Sequence, residues 1–347
     1  MTALRVVDVY VEQLAHAIAG SSRELGKELN IDRQQLLSAR TRLDRGSTNS
    51  AASHASTTSQ NTHSRIVTTL DGWISLTISR PDDVELLPAL FESDAPPLRE
   101  LWPWISGRAA ELPSAHIRDQ AALLGLSCAV PDEHRASPFS DSDLVVFPPP
   151  TRNRLAQFRV VDLSALWAGP LCAHLLAKVG AHVTTVEDPN RPDGSRFGSP
   201  ALYAALHTGH ELASLELRTA EGLGRLHELL RRADVVITSA RPRAFLQLGI
   251  DPDALMSEHP ITAWISITGF GPSQPNRAGY GDDAAVAGGL WRRTPAGPVF
   301  LGDAIADPLT GLTSAAVAMH ALATRTRIRA HVSLASVAAR ASSSPRS

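Results

Sequence analysis

Cysteine is scarce: the 347-residue chain contains two, Cys128 and Cys172. Two cysteines cannot build a disulfide framework or a cysteine-rich metal site. Both lie in apolar surroundings and read as core thiols. An excess of one charge is also missing. The formal net charge is −2, so no broad basic surface for nucleic acid is implied. No uninterrupted apolar run approaches the roughly 18 residues that suggest a membrane span. The start, Met1-Thr2-Ala3-Leu4-Arg5, lacks a basic region followed by an apolar signal core. No internal repeat is evident. The expectation is a soluble, cytoplasmic protein with enough chain for two cores.

Residues 1–46 read as a helical segment, because Val7, Val11, Leu14, Ala15 and Ile18 recur at helical spacing. A second helix is expected from Ile31-Asp32 through Leu43. Residues 47–64 are a tract of Ser, Thr, Asn, Ala and His, which reads as a flexible linker; its His54 and His63 read as solvated. A small α+β domain is expected over 65–147. There Asp71-Gly72 marks a hairpin between Ile66–Leu70 and Trp73–Ile78. Helices Asp82–Phe91 and Ser114–Leu124 follow, and Pro148-Pro149-Pro150 marks a stiff linker.

Residues 155–337 alternate strand and helix. Strands are expected at Phe158–Leu163, His182–Glu187, Ala213–Leu217, Asp234–Thr238 and Ile261–Ile267. Such alternation implies a Rossmann-like, mostly parallel sheet covered by helices. Residues 338–347 read as a disordered tail.

In an open α/β sheet, ligands sit at the carboxyl ends of the strands. The first loop there is Ser164 to Pro170. A nicotinamide enzyme needs G-x-G-x-x-G at this point, and this loop holds the single glycine Gly169. Glu187 mimics the ribose-binding acid of such enzymes, but it stands alone. A second loop, Thr238 to Phe245, carries Arg241 and Arg243 around Pro242, and guanidinium pairs suit phosphate oxygens. The third loop includes Gly269 and Gly271, which permit close backbone approach. Asp282 and Asp283 could bind a cation or a substrate, though a helix cap explains at least one of them.

The most informative stretch is Leu301 to Leu312, in which Asp307 precedes Pro308 and an apolar run. Asp is a preferred N-cap and Pro suits the first helical position. Asp307 is therefore expected to cap a helix, where the dipole favours a charged carboxylate that can act as a nucleophile.

These pieces, in this order, resemble the family III CoA-transferases, the group that also includes the α-methylacyl-CoA racemases. The carrying residues are Val160–Leu163 with Ala168-Gly169-Pro170, Gly180–Glu187, Ala240-Arg241-Pro242 with Leu248-Gly249, Ser266–Gly271, Gly279–Asp282, and Ala306-Asp307 with Thr310-Gly311. The resemblance implies a CoA-binding Rossmann-like domain without nicotinamide, with Asp307 as the catalytic residue. It implies that an aspartyl-CoA thioester forms on Asp307 while CoA moves from an acyl-CoA to a carboxylic acid. CoA contacts are then expected at Leu166, Ala168 and Pro170, at Ser239, Ala240, Arg241 and Arg243, and at Gly269 and Gly271. CoA is a substrate here, and no tightly bound cofactor is expected. The partners implied are an acyl-CoA, a carboxylic acid, and a second chain, as a homodimer or with a related subunit. Neither nucleic acid nor a membrane is expected as a partner.

The chain also departs from the family pattern. Small-domain-like sequence comes first, which reads as the end of one such unit followed by the start of another. The usual Asn-Arg-Gly-Lys-like segment is Leu206-His207-Thr208-Gly209-His210, and Gln247 stands where an arginine is usual. Two alternatives follow: a racemase-like enzyme, or a degenerate, non-catalytic CoA-binding subunit. The racemases' His–Asp pair is Gly281-Asp282 here, so one of the two bases racemisation needs is absent.

Overall fold

The computed structural model describes residues 3–31, 58, 63–135, 143–148, 157–295 and 297–343. The second helix expected from 31, His54, and most of the 47–64 linker lie outside these residues; His63 is exposed.

Seven strands form the main sheet, in the order β4-β12-β9-β8-β5-β6-β7. They span Leu144–Phe147 (β4), Arg159–Leu163 (β5), His182–Glu187 (β6), Glu211–Ser214 (β7), Val235–Thr238 (β8), Ala263–Thr268 (β9) and Arg327–Ser333 (β12). All neighbours are parallel except β4, which lies antiparallel against β12. The strand order reverses between β5 and β8, and this is where ligands bind in such sheets.

Central strands are buried on both faces, so β-branched and apolar residues such as Val160-Val161, Val183 to Val186 and Val235 to Thr238 make β5, β6, β8 and β9 legible. Their side chains alternate between two cores. Val160, Val235, Ile237, Ile265 and Ile267 face one, and Val161, Val236 and Trp264 face the other. The first core is covered by helices Ala168–Lys178, Ala306–Thr324 and Leu334–Ser343, together with α1, Ala3–Glu24. The second lies under Ala220–Arg232 and Pro252–Glu258.

The smaller unit has its own three-stranded antiparallel sheet, Ser64–Thr68 (β1), Trp73–Thr77 (β2) and Ser127–Ala129 (β3). The Asp71-Gly72 hairpin pairs Thr68 with Trp73. Helices Leu87–Phe91, Leu101–Ala109 and Ser114–Leu124 bury Leu90, Ile105 and Ile117 against this sheet.

Three expectations are corrected. The run expected as one helix, Asp82–Phe91, is two short helices, Pro81–Glu85 and Leu87–Phe91, with Pro88 opening the second. Residues 144–147 belong to the large sheet, because their amides pair with β12. Residues 338–343 are helical rather than tail, since Ala338, Ala339 and Ala341 are buried against the first core.

Candidate active site

The loop after β5 opens the site. Leu166 adopts a left-handed conformation, φ 71°, which costs a non-glycine residue roughly 1–2 kcal/mol. Three side chains hold the loop there. Ser164 N donates to Asp162 Oδ1 at 2.9 Å, Ala165 N to Ser239 Oγ at 3.1 Å, and Leu166 N to Asp193 Oδ2 at 2.9 Å. In dinucleotide-binding enzymes, such amides cradle a pyrophosphate. Here all three already have partners inside the protein. Ser239 crosses from the β8 loop to do this, so Ala165 and Ser239 meet at the switch point. Glu187 is likewise occupied. It takes Arg196 Nε at 2.9 and 3.0 Å and Arg196 Nη2 at 2.5 Å. Burial raises its pKa, but the Arg196 bonds outweigh that and hold the carboxyl below its ordinary value. Neither nicotinamide feature is left available.

Arg241 is the cationic member of the site. Its guanidinium reaches the smaller unit, donating to Gly125 O at 3.3 Å. Burial lowers its pKa, and the nearby charges of Arg243, Arg80 and Arg191 lower it further, while Tyr280 opposes them. Arg241 thus feels the positive charge of three other arginines from three segments. Arg80 is neutralised by Asp83, with Nη2–Oδ1 at 2.6 Å. Ala240 donates its amide to Thr238 Oγ1 at 3.1 Å, and Arg243 is exposed.

The remaining expected positions are more enclosed. Ala168 and Pro170 are buried in the first turn of their helix. Gly311 of helix 306–324 packs there so closely that a Cβ would lie 2.7 Å from Ala168 O. At Gly269 a Cβ would meet the Gly279 backbone at 2.8 Å, so the room this glycine leaves is filled by the protein itself. Gly271, with φ +79°, faces Ser333.

The crossing at Gly311 sets the first turn of helix 306–324 beside the β5 loop. Asp307 stands in that turn, half-buried. It is not the N-cap. The helix starts two residues earlier than expected, at Ala306 after Ile305, and Asp307 N donates to Ala304 O at 2.8 Å. The dipole argument survives the shift, since it acts over the whole first turn. The Asp307 carboxylate lies against Gly281, where a side chain would collide with its Oδ2.

Sequence reasoning left Asp193 without a role and read Asp282 as a helix cap or a ligand. Asp193 pins Leu166; its signal is Asp193-Gly194-Ser195, an Asx turn in which Oδ1 takes Ser195 N at 2.8 Å. Asp282 accepts Ala304 N at 2.8 Å across 22 residues of sequence, a contact no local pattern announces. Asp283, which sequence left open as a ligand, instead accepts three hydroxyls from the smaller sheet: Ser75 and Ser127 at 2.5 Å and Thr77 at 2.6 Å. Among the described residues, no three metal-ligating side chains converge on one point. Nor is any helix among them long and apolar enough to cross a membrane.

Fold and site together define an open α/β protein with a strand-order switch between β5 and β8, a β5 loop without the nicotinamide glycine fingerprint, and a carboxylate in the first turn of helix 306–324. The chain belongs to CoA-transferase family III, whose family model matches residues 155–342. It is 33% identical over 186 residues to the succinate–glutarate CoA-transferase of Agrobacterium fabrum, covering 48% of this chain and 46% of that one. It is 33% identical over 171 residues to the succinyl-CoA–L-malate CoA-transferase beta subunit of Chloroflexus aurantiacus, covering 46% and 42%. A CaiB/BaiF family protein of known structure from Brucella suis shares 30% identity over 52% of this chain and 53% of its own, with TM-score 0.48. The chain spans about half the length of the curated relatives it matches.

Proposed function

We propose that this chain transfers CoA between an acyl-CoA and a carboxylic acid through a covalent intermediate on Asp307. The observation that carries the reading is the placement of Asp307. It is a half-buried carboxylate in the first turn of helix 306–324, against a residue with no side chain, one turn ahead of the Gly311 contact with Ala168, the residue that follows the β5 loop. A carboxylate there is favoured in its ionised, nucleophilic form, and nearby backbone N–H groups can stabilise an oxyanion.

The steps balance without an added proton. An Asp307 oxygen attacks the thioester carbonyl, the C–S bond breaks, and CoA leaves as thiolate from a mixed anhydride. The thiolate attacks the aspartyl carbonyl, and the donor acid departs as a carboxylate. The acceptor carboxylate attacks the resulting aspartyl-CoA thioester and expels the thiolate again. Thiolate attack on the acceptor carbonyl then yields the new acyl-CoA and restores Asp307.

The β5 loop amides are engaged, so side chains rather than a backbone nest would meet the CoA phosphates. Arg241 and Arg243 are the groups for that role, with Leu166, Ser239 and Ala240 forming the wall beside them. Ala168, Pro170, Gly269 and Gly271 would shape the crevice by close packing. The names of the relatives support a succinyl-CoA donor. CoA thioesters are large polyanions that do not cross membranes unaided, which favours a cytoplasmic reaction. The beta-subunit relative supports a second chain, either another copy or a related subunit.

The test is hydroxylamine trapping after incubation with succinyl-CoA, followed by peptide mass spectrometry. A hydroxamate on Asp307 is expected, with none in Asp307→Ala at an unchanged circular dichroism spectrum. Light scattering on the same sample should give a mass above one 37.0 kDa chain. An unlabelled Asp307 across a panel of acyl-CoAs would sink the reading.

A further inference from the structure

We propose that Asp282 is a positioning residue for Asp307, acting through the left-handed residue Ala304; its role in turnover rests on the reading above. Asp282 lies in the first turn of helix Gly281–Ala287, is 3% exposed, and on that ground alone is an ordinary helix-end acid. Its Oδ1, however, is committed elsewhere. It accepts the Ala304 amide at 2.8 Å, from the loop that leads into helix 306–324.

Ala304 has φ 46°, a conformation that alanine avoids. Its N–H is held by Asp282, and its carbonyl accepts Asp307 N at 2.8 Å. One residue thus links the two aspartates: a side chain fixes one end of Ala304, and the other end fixes the backbone of Asp307. Gly281 completes the arrangement. A Cβ there would lie 2.7 Å from Ala304 O, 2.8 Å from Ala304 Cβ, and against Asp307 Oδ2. The pair Gly281-Asp282 therefore forms a cradle. The glycine gives room to the Asp307 carboxylate and the aspartate sets its height.

The proposal separates geometry from charge. Asp282→Asn keeps an acceptor oxygen for Ala304 N, and Asp282→Ala removes it. Losing a buried hydrogen bond to a charged acceptor corresponds to about tenfold or more in an equilibrium. Two readouts apply. One is amide hydrogen exchange at Ala304 and Asp307, which needs no turnover. The other is the kcat and KM of succinyl-CoA-dependent transfer.

In Asp282→Ala, exchange at both amides is expected to speed up by about tenfold or more, and kcat to fall by a similar factor. KM should move far less than kcat. Asp282→Asn should stay within about threefold of the parent in both readouts, because the acceptor remains. The double variant Asp282→Ala with Ala304→Gly should regain part of the lost kcat, since glycine adopts this backbone without strain.

Unchanged exchange at Ala304 and Asp307 in Asp282→Ala would overturn the proposal. So would an Asp282→Asn as impaired as Asp282→Ala, which would assign Asp282 a role through its charge. If Asp282→Ala does not fold, Asp282→Asn decides alone, and a tenfold loss there defeats the idea. A parent chain that traps no acyl group defeats the transfer reading, while the exchange data still report on the link.

Discussion

Two side chains, one buried and one half-buried, bend the pH dependence of stability in opposite directions. Asp162 ends β5 fully buried, and burial pushes its carboxyl up from 3.8 to about 7, against the opposing hydrogen bonds from Ser164. A carboxyl whose pKa rises on folding binds its proton more tightly in the native chain than in the unfolded one. Between about pH 4 and 7 the native state therefore holds a proton that the unfolded state has lost. Stability falls as pH rises through that window, by at most about 1.4 kcal/mol per pH unit for one group. Burial raises Asp283 as well, which adds to the same slope. His210 does the reverse. Burial, then the neighbouring His207 and His174, lower its pKa from 6.5 to about 4. The unfolded chain takes up that proton first, so stability falls as pH drops from about 6.5 to about 4. Urea melts at several pH values test both claims. Asp162→Asn should remove part of the alkaline-side loss, and His210→Gln part of the acid-side loss. Shifts of the same sign in both variants would contradict this account.

Asp283 ties helix 281–287 to the smaller sheet, and this sets the behaviour of whole elements. Its carboxylate collects hydroxyls from β2 and β3 while its helix carries Gly281 and Asp282 towards Asp307. Thr77→Val or Ser127→Ala should each cost about 1–3 kcal/mol, because a buried acceptor is left short of a donor. Thermal melts should show one transition moving as a whole. A separate low-temperature transition would mean that the smaller unit melts alone. The same elements show what the sequence could and could not reveal. Strands β5, β6, β8 and β9 are rich in β-branched residues buried on both sides and stood out. β7 was expected at Ala213–Leu217 and lies at Glu211–Ser214, an edge strand of mixed polarity with no core pattern to set its ends. β12 went unread because it begins Arg327-Ile328-Arg329. Its buried Arg327 donates to the carbonyls of Ile261 and His259 at 3.0 and 2.7 Å, and Arg329 forms an ion pair with Asp253 at 2.6 Å. The local pattern carries no strand signal, and distant partners make it a strand. The site divided the same way. Asp307 was visible through its helix start and its neighbours. Asp193 and Asp282 act through contacts that exist only after the fold closes.

At the scale of the molecule, the surprise is where α1 goes. The sequence placed it in a separate helical segment, yet its apolar stripe completes the main core. Val7, Val11 and Ile18 are at most 1% exposed, packed with helices 306–324 and 334–343. The Tyr10 hydroxyl meets Thr313 Oγ1 at 3.0 Å, on the helix that begins beside Asp307. Burying four such side chains contributes on the order of 6–12 kcal/mol, which matches the total stability of an ordinary domain. The helix that carries the candidate nucleophile thus has its far face closed by a segment about three hundred residues earlier. Removing residues 1–31 should therefore unfold or aggregate the large unit, and Val11→Ala should cost roughly 2–3 kcal/mol through the cavity it leaves. Size-exclusion chromatography and a urea melt of both variants check this. The trimmed chain should elute as aggregate, and the point variant should shift the midpoint with an unchanged slope. A trimmed chain that stays folded with the midpoint of the whole protein would return α1 to the role of an appendage. Asp307 would then need no support from that face.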